Sequence, residues 1–176
     1  MLKRILFTVM TFLLVYSAIL VGYKAFEPHQ DETHTYNLDM LDYDTLRDYT
    51  LNSGRSAIHY YFFCSPEEAD CIYVQSTLIY STANATELNL RDIIEYVNLS
   101  QVVEGTRLAR LKEEWGLTTY PSFLACHNEN EKIVVDNVLE WNPEQPLSTD
   151  NLISWLRLNG LYDGELVEMP IATPSP

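Results

Sequence analysis

Cys64 and Cys71 are the residues best suited to covalent chemistry, since neighbouring thiols can form a disulfide and exchange with one. Six residues separate them, Ser65-Pro-Glu-Glu-Ala-Asp70, a loop short enough to close. A bond would need their Cα atoms about 4.4–6.8 Å apart. Two readings stay open: a structural or latent redox disulfide, and two buried reduced thiols. The charges nearby oppose activation. Glu67, Glu68 and Asp70 raise the pKa of neighbouring thiols by like-charge repulsion, and no Lys or Arg lies in that stretch. Cys126 follows Pro121 by five residues, about 16 Å along a strand, and reads as a core cysteine. The histidines, His29, His34, His59 and His127, show no paired spacing, and Cys126 and His127 would point to opposite faces of a strand. Neither a metal site nor a cofactor is expected.

The elements that must position the pair follow from pattern. Ala57-Ile-His-Tyr-Tyr-Phe-Phe63 is an apolar run of strand length, suited to a sheet centre buried on both faces. Ser65-Pro-Glu-Glu68 then predicts a helix start, with Ser65 as cap and Pro66 at the first helical position. Cys71, Val74, Leu78 and Ile79 fall on one stripe of that helix, and Tyr73 and Tyr80 read as ordinary amphipathic packing. Ser81 to Ala85 is loop-like. Earlier, Tyr36 to Leu41 predicts a strand and Asp44 to Leu51 a helix, capped by Asp42 and closed by Asn52-Ser-Gly54. Later, Ile93 to Leu99 predicts a strand, followed by a helix carrying Leu108, Leu111 and Trp115 that stops at Gly116. Ser122 to Cys126 and Ile133 onward alternate around a turn at His127-Asn-Glu-Asn-Glu131, a hairpin pattern. Ser148 or Thr149 caps a last helix bearing Leu152, Ile153 and Leu156, ended by Gly160.

This β-α-β-α-β-α-β-β-α order resembles the thioredoxin superfamily over roughly residues 36 to 162. The best local match is Trp115-Gly-Leu-Thr-Thr-Tyr-Pro-Ser-Phe-Leu124, which is similar to the family's helix end, glycine, cis-proline and following strand. Tyr96 to Ser100 is similar to its central strand. The layout is loosely similar to small Gram-positive bacteriocin-accessory and membrane-anchored thioredoxin-like proteins. The resemblance implies an α/β thioredoxin-like fold, a central mixed sheet flanked by helices. It places Cys71 at the second, resolving cysteine and Glu68 at the first, nucleophilic one. Glu67 then stands where the family has tryptophan, Phe62 where it has a buried strand acid, and Cys64 is an extra thiol at the strand end. It also implies a cis bond at Tyr120-Pro121, exposing backbone groups that can pair with an extended substrate strand.

One transmembrane helix is expected before this domain. After Lys3-Arg4, Ile5 to Tyr23 carries no charge, and nineteen residues make roughly 28 Å of helix, close to a bilayer's apolar thickness. A cleaved signal peptide is the competing reading. The basic start keeps the N-terminus cytoplasmic and places the rest outside the cell membrane. The expected organisation is a transmembrane anchor at 1–26, a stalk at 27–35, a thioredoxin-like domain at 36–162 and a flexible tail at 163–176. All 25 acidic residues lie beyond the span, against nine of the 11 Lys and Arg, leaving −16 there. Nucleic acid is excluded as a partner by repulsion. The expected function is a binding or accessory module for other envelope or secreted proteins and peptides, reached through Tyr120 and Pro121. The alternative is a thiol–disulfide oxidoreductase with Cys64 and Cys71 as its catalytic pair.

Overall fold

A computed structural model describes residues 40–54, 57–102 and 104–164. The expected anchor and stalk, and nearly all of the tail, lie outside the described residues. No helix among the described residues is long and apolar enough to cross a membrane.

Five strands form one sheet in the order β1-β3-β2-β4-β5. They are β1 (Leu41–Asp42), β2 (Ile58–Cys64), β3 (Glu95–Asn98), β4 (Ser122–Glu129) and β5 (Lys132–Glu140). β1 and β2 run parallel to β3, whereas β4 runs antiparallel to both β2 and β5. The aromatic run is thus the middle strand, and its side chains alternate between two cores. Phe62 and Cys64 face one, with Cys71, Val74, Leu78, Phe123 and Trp155. Tyr61 and Phe63 face the other, with Leu46, Leu111, Trp115 and Cys126. Burial on both faces is why the run lacks polar alternation.

The helices are α1 (Tyr43–Asn52), α2 (Ala69–Tyr73), α3 (Ile79–Thr86), α4 (Leu90–Ile93), α5 (Arg107–Trp115) and α6 (Thr149–Leu158). A π-helical turn, Val74–Leu78, joins α2 to α3. Caps fall where residue types place them. Asp42 Oδ1 accepts from the Asp44 N–H at 2.9 Å. Ser148 and Asn151 form a reciprocal capping box. Gly116 takes φ 73° to close α5, a conformation that costs a residue with a Cβ.

Several expectations are corrected. Ser65 does not cap a helix: the Glu68 N–H donates to the Ser65 carbonyl at 3.0 Å, closing a turn with Pro66 at its favoured second position. The helix begins at Ala69, after an extended Glu68. The stretch Ser81 to Ala85 is helical rather than loop. The Thr82 and Thr86 hydroxyls donate to the carbonyls of Leu78 and Thr82, at 2.8 and 2.7 Å, so these buried side chains are satisfied within the helix. The hairpin turn is tighter than expected. Asn130 and Glu131 both take positive φ (52° and 63°), as in a two-residue hairpin loop, and His127 stays in the strand. The expected strand from Ile93 is shorter, because Leu90 to Ile93 forms a helical turn first. The Cys71, Val74, Leu78 and Ile79 stripe is buried as expected.

Candidate functional site

β2 ends at Cys64, and the Ser65–Glu68 turn returns the chain so that Cys71 comes back beside it. The two thiols are hydrogen-bonded to each other, and the Ser65 N–H donates to Cys71 Sγ at 3.1 Å. All three cysteines are free thiols, so the candidate disulfide is absent from this structure. Cys64 and Cys71 are both fully buried. Burial pushes the Cys64 thiol well up, its hydrogen bond to Cys71 holds the proton, and the charges of Cys71 and Glu68 add to the effect. Thiolates are the reactive form, so this pair is brought together without being activated. We expect iodoacetamide at neutral pH to label these thiols about 100-fold more slowly in the native than in the urea-unfolded protein. Mass spectrometry of the alkylated peptides measures this.

At the position where the resemblance places a nucleophile, Glu68 is tied down. Arg107 Nη1 donates to Glu68 Oε1 at 3.3 Å and to the Tyr120 hydroxyl at 2.8 Å. The Tyr120 hydroxyl lies 3.4 Å from the same Glu68 oxygen, and the guanidinium sits 5.3 Å from the Tyr120 ring centroid. Arg107 is only 7 % exposed, whereas the Glu68 side chain is about half-exposed, at 46 %. No cation lies within the Glu67–Asp70 stretch itself, but one arrives from α5. The helix stripe there is rotated by one residue. Arg107, Leu111 and Trp115 face inward, and Leu108 is 49 % exposed. The four-residue step from Arg107 to Leu111 was the only available signal, and an apolar stripe starting at Leu108 outweighs it.

Phe62, where the resemblance places a buried acid, stacks on Phe123 with ring centroids 4.7 Å apart. The Tyr120-Pro121 bond is cis, as the resemblance implied, and Pro121 is held by the Trp141 N–H donating to its carbonyl at 3.1 Å. Tyr120 therefore meets the Glu68 turn at the end of β2, within the sheet order already described. The fold is thioredoxin-like. No family model and no curated protein matches the chain. Among solved structures it is similar to a Plasmodium falciparum thioredoxin, at 10% identity and TM-score 0.40 over 66% of this chain and 80% of that one. It is also similar to a Trichomonas vaginalis thioredoxin, at 11% identity and TM-score 0.39 over 68% of this chain and 93% of that one. A redox protein from Chlamydomonas reinhardtii matches at 15% identity and TM-score 0.42, over 78% of this chain and 39% of that one.

Among the described residues, no backbone group pairs with the Tyr120 N–H or C=O. The helix face that follows Glu68 is more open than ordinary packing: Ile72 and Tyr73 are 43 % and 44 % exposed. Tyr73 touches Trp141, whose N–H holds Pro121.

Cys126 lies across the sheet from the cysteine pair, in the other core. Burial, and secondarily Asp136 and Glu95, push its thiol up to about 12 from an ordinary 9.0. Between those values the unfolded chain releases a proton that the folded chain keeps. Stability is therefore fully present below about 9 and falls as pH rises toward 12. The urea midpoint should drop between pH about 8 and about 10.5, and Cys126→Ala should make that slope shallower. No group of three or more potential metal-ligating side chains occurs among the described residues.

Proposed function

We propose that this chain is a membrane-anchored, extracytoplasmic thioredoxin-like protein whose dithiol site has degenerated. It serves as a binding or accessory module for other envelope or secreted proteins. The observation that carries this reading is Glu68, in the nucleophile position, bound to Arg107 and Tyr120. A carboxylate cannot attack a disulfide, and the thiols behind it are buried with the Cys64 proton firmly held. The Tyr120 backbone and the exposed Ile72 and Tyr73 offer an extended peptide both hydrogen bonds and apolar contact. The uncharged Ile5 to Tyr23 segment after Lys3-Arg4 supports the anchor and its orientation. The full-length protein in detergent should reduce insulin no faster than buffer containing the same reductant. Reduction at a rate comparable with a thioredoxin overturns the proposal.

A second reading, a thiol–disulfide oxidoreductase using Cys64 and Cys71, is favoured by the contact between their thiols. It requires a reversible Cys64–Cys71 bond across a glutathione redox series, read by mass spectrometry. Thiols that stay reduced throughout the series exclude it.

A further inference from the structure

At the opposite end of β2 from Cys64, three side chains stand in the order of a nucleophile relay. Ser53 Oγ lies 2.5 Å from His59 Nε2, and His59 Nδ1 lies 2.8 Å from Glu95 Oε1. His59 is buried between rings, stacked on Tyr61 at 5.4 Å and meeting Tyr49 edge-on at 5.5 Å. The Tyr49 hydroxyl donates to the second Glu95 oxygen at 2.7 Å, which fixes the carboxylate. A carboxylate accepts only, so Nδ1 donates to Glu95, and in the neutral imidazole Nε2 then offers its lone pair to Ser53. The Thr50 carbonyl, 2.8 Å from Ser53 Oγ, takes the hydroxyl proton in the alternative rotor.

We propose that Ser53 is an acyl-accepting nucleophile, with His59 as its general base and Glu95 as the residue that positions His59. Ser53 itself is exposed at the end of α1, and apart from its chain neighbours no described atom lies within 4 Å of where a side chain at Gly54 would begin, an approach side for a small acyl ester. Ser53 Oγ attacks the ester carbonyl carbon, and its proton passes to His59 Nε2. That proton then leaves with the alcohol as the carbon–oxygen ester bond breaks, and the acyl group remains on Ser53. Water, deprotonated by His59, releases the carboxylic acid and restores the serine hydroxyl. The geometric roles are those of a serine triad, recognised by arrangement rather than by chain order.

The test uses the full-length protein, a fluorophosphonate probe and p-nitrophenyl acetate. The folded protein should take up one probe, located on Ser53 by peptide mass spectrometry, and the urea-unfolded protein none. Ser53→Ala, a change on the surface, should keep the native circular dichroism spectrum and lose both labelling and ester hydrolysis. His59→Gln should slow labelling about 100-fold, the usual contribution of a positioned base. Glu95→Gln should lower kcat with KM unchanged, and Glu95→Asp should recover part of the loss. The proposal is overturned if the folded protein is unlabelled, if label spreads over other serines, or if Ser53→Ala hydrolyses the ester at the wild-type rate.

Discussion

Replacing Glu68 with cysteine is expected to turn this chain into a disulfide reductase. Position 68 is the residue from which α2 departs, half-exposed, with Cys71 three residues on. That restores the two-residue spacing of a redox pair. The guanidinium that now binds Glu68 Oε1 at 3.3 Å would stand beside the introduced thiol. A cation and a helix start together lower a thiol from about 8.5 into the range of about 3.5–7.5, raising the thiolate fraction at neutral pH from a few per cent to about a quarter or more. Insulin reduction should therefore rise about tenfold or more above wild type. Adding Arg107→Met should remove much of the gain, because the thiolate loses its charge partner. Adding Cys64→Ala should increase it, since Cys64 no longer competes for contact with Cys71. If Glu68→Cys folds and stays inert, with no bond to Cys71 by mass spectrometry, the assignment of position 68 fails.

Much of the scaffold was legible because it rests on local rules. The caps at Asp42 and Ser148 and the stops at Gly116 and Gly160 each express the geometry of a chain terminus, and they fall at the expected residues. The aromatic run at β2 was legible because a strand buried on both faces needs no polar alternation. Errors arose where tertiary contacts decide. Pro66 suits a helix start and the second position of a turn equally well, and Glu68 is drawn away from capping by Arg107, 39 residues later. Ser81 to Ala85 is rich in residues that favour loops, yet burial of Thr82, Ala85 and Thr86 keeps it helical. The candidate site was half-legible for the same reason. Cys64, Cys71, Tyr120 and Pro121 are conspicuous by type, whereas Arg107 is conspicuous only once its helix face is known. The Ser53, His59 and Glu95 contacts join three separate elements and have no spacing signature at all.

Phe62→Asp is expected to unfold the protein or nearly so. The resemblance places a buried acid at this position, so the substitution looks like a restoration. The surroundings have repacked against it. Phe62 is fully buried, stacked on Phe123 at 4.7 Å and edge-on to Tyr96 at 5.2 Å. Losing a buried phenyl ring costs about 3–5 kcal/mol. Leaving even a protonated carboxyl without partners adds about 1–3 kcal/mol. Together these approach the whole stability of an ordinary domain, about 5–15 kcal/mol. Phe62→Leu, which keeps an apolar side chain, should cost about 1–3 kcal/mol, mostly for the gap it leaves. Urea unfolding of both variants separates two pictures of the site. If the acid is far worse tolerated than leucine, the core has closed around the position where the resemblance places an acid, and the binding-module reading is strengthened. If the two variants are equally stable, the site still accommodates a carboxylate beside Cys71, and the oxidoreductase reading gains what the binding-module reading loses.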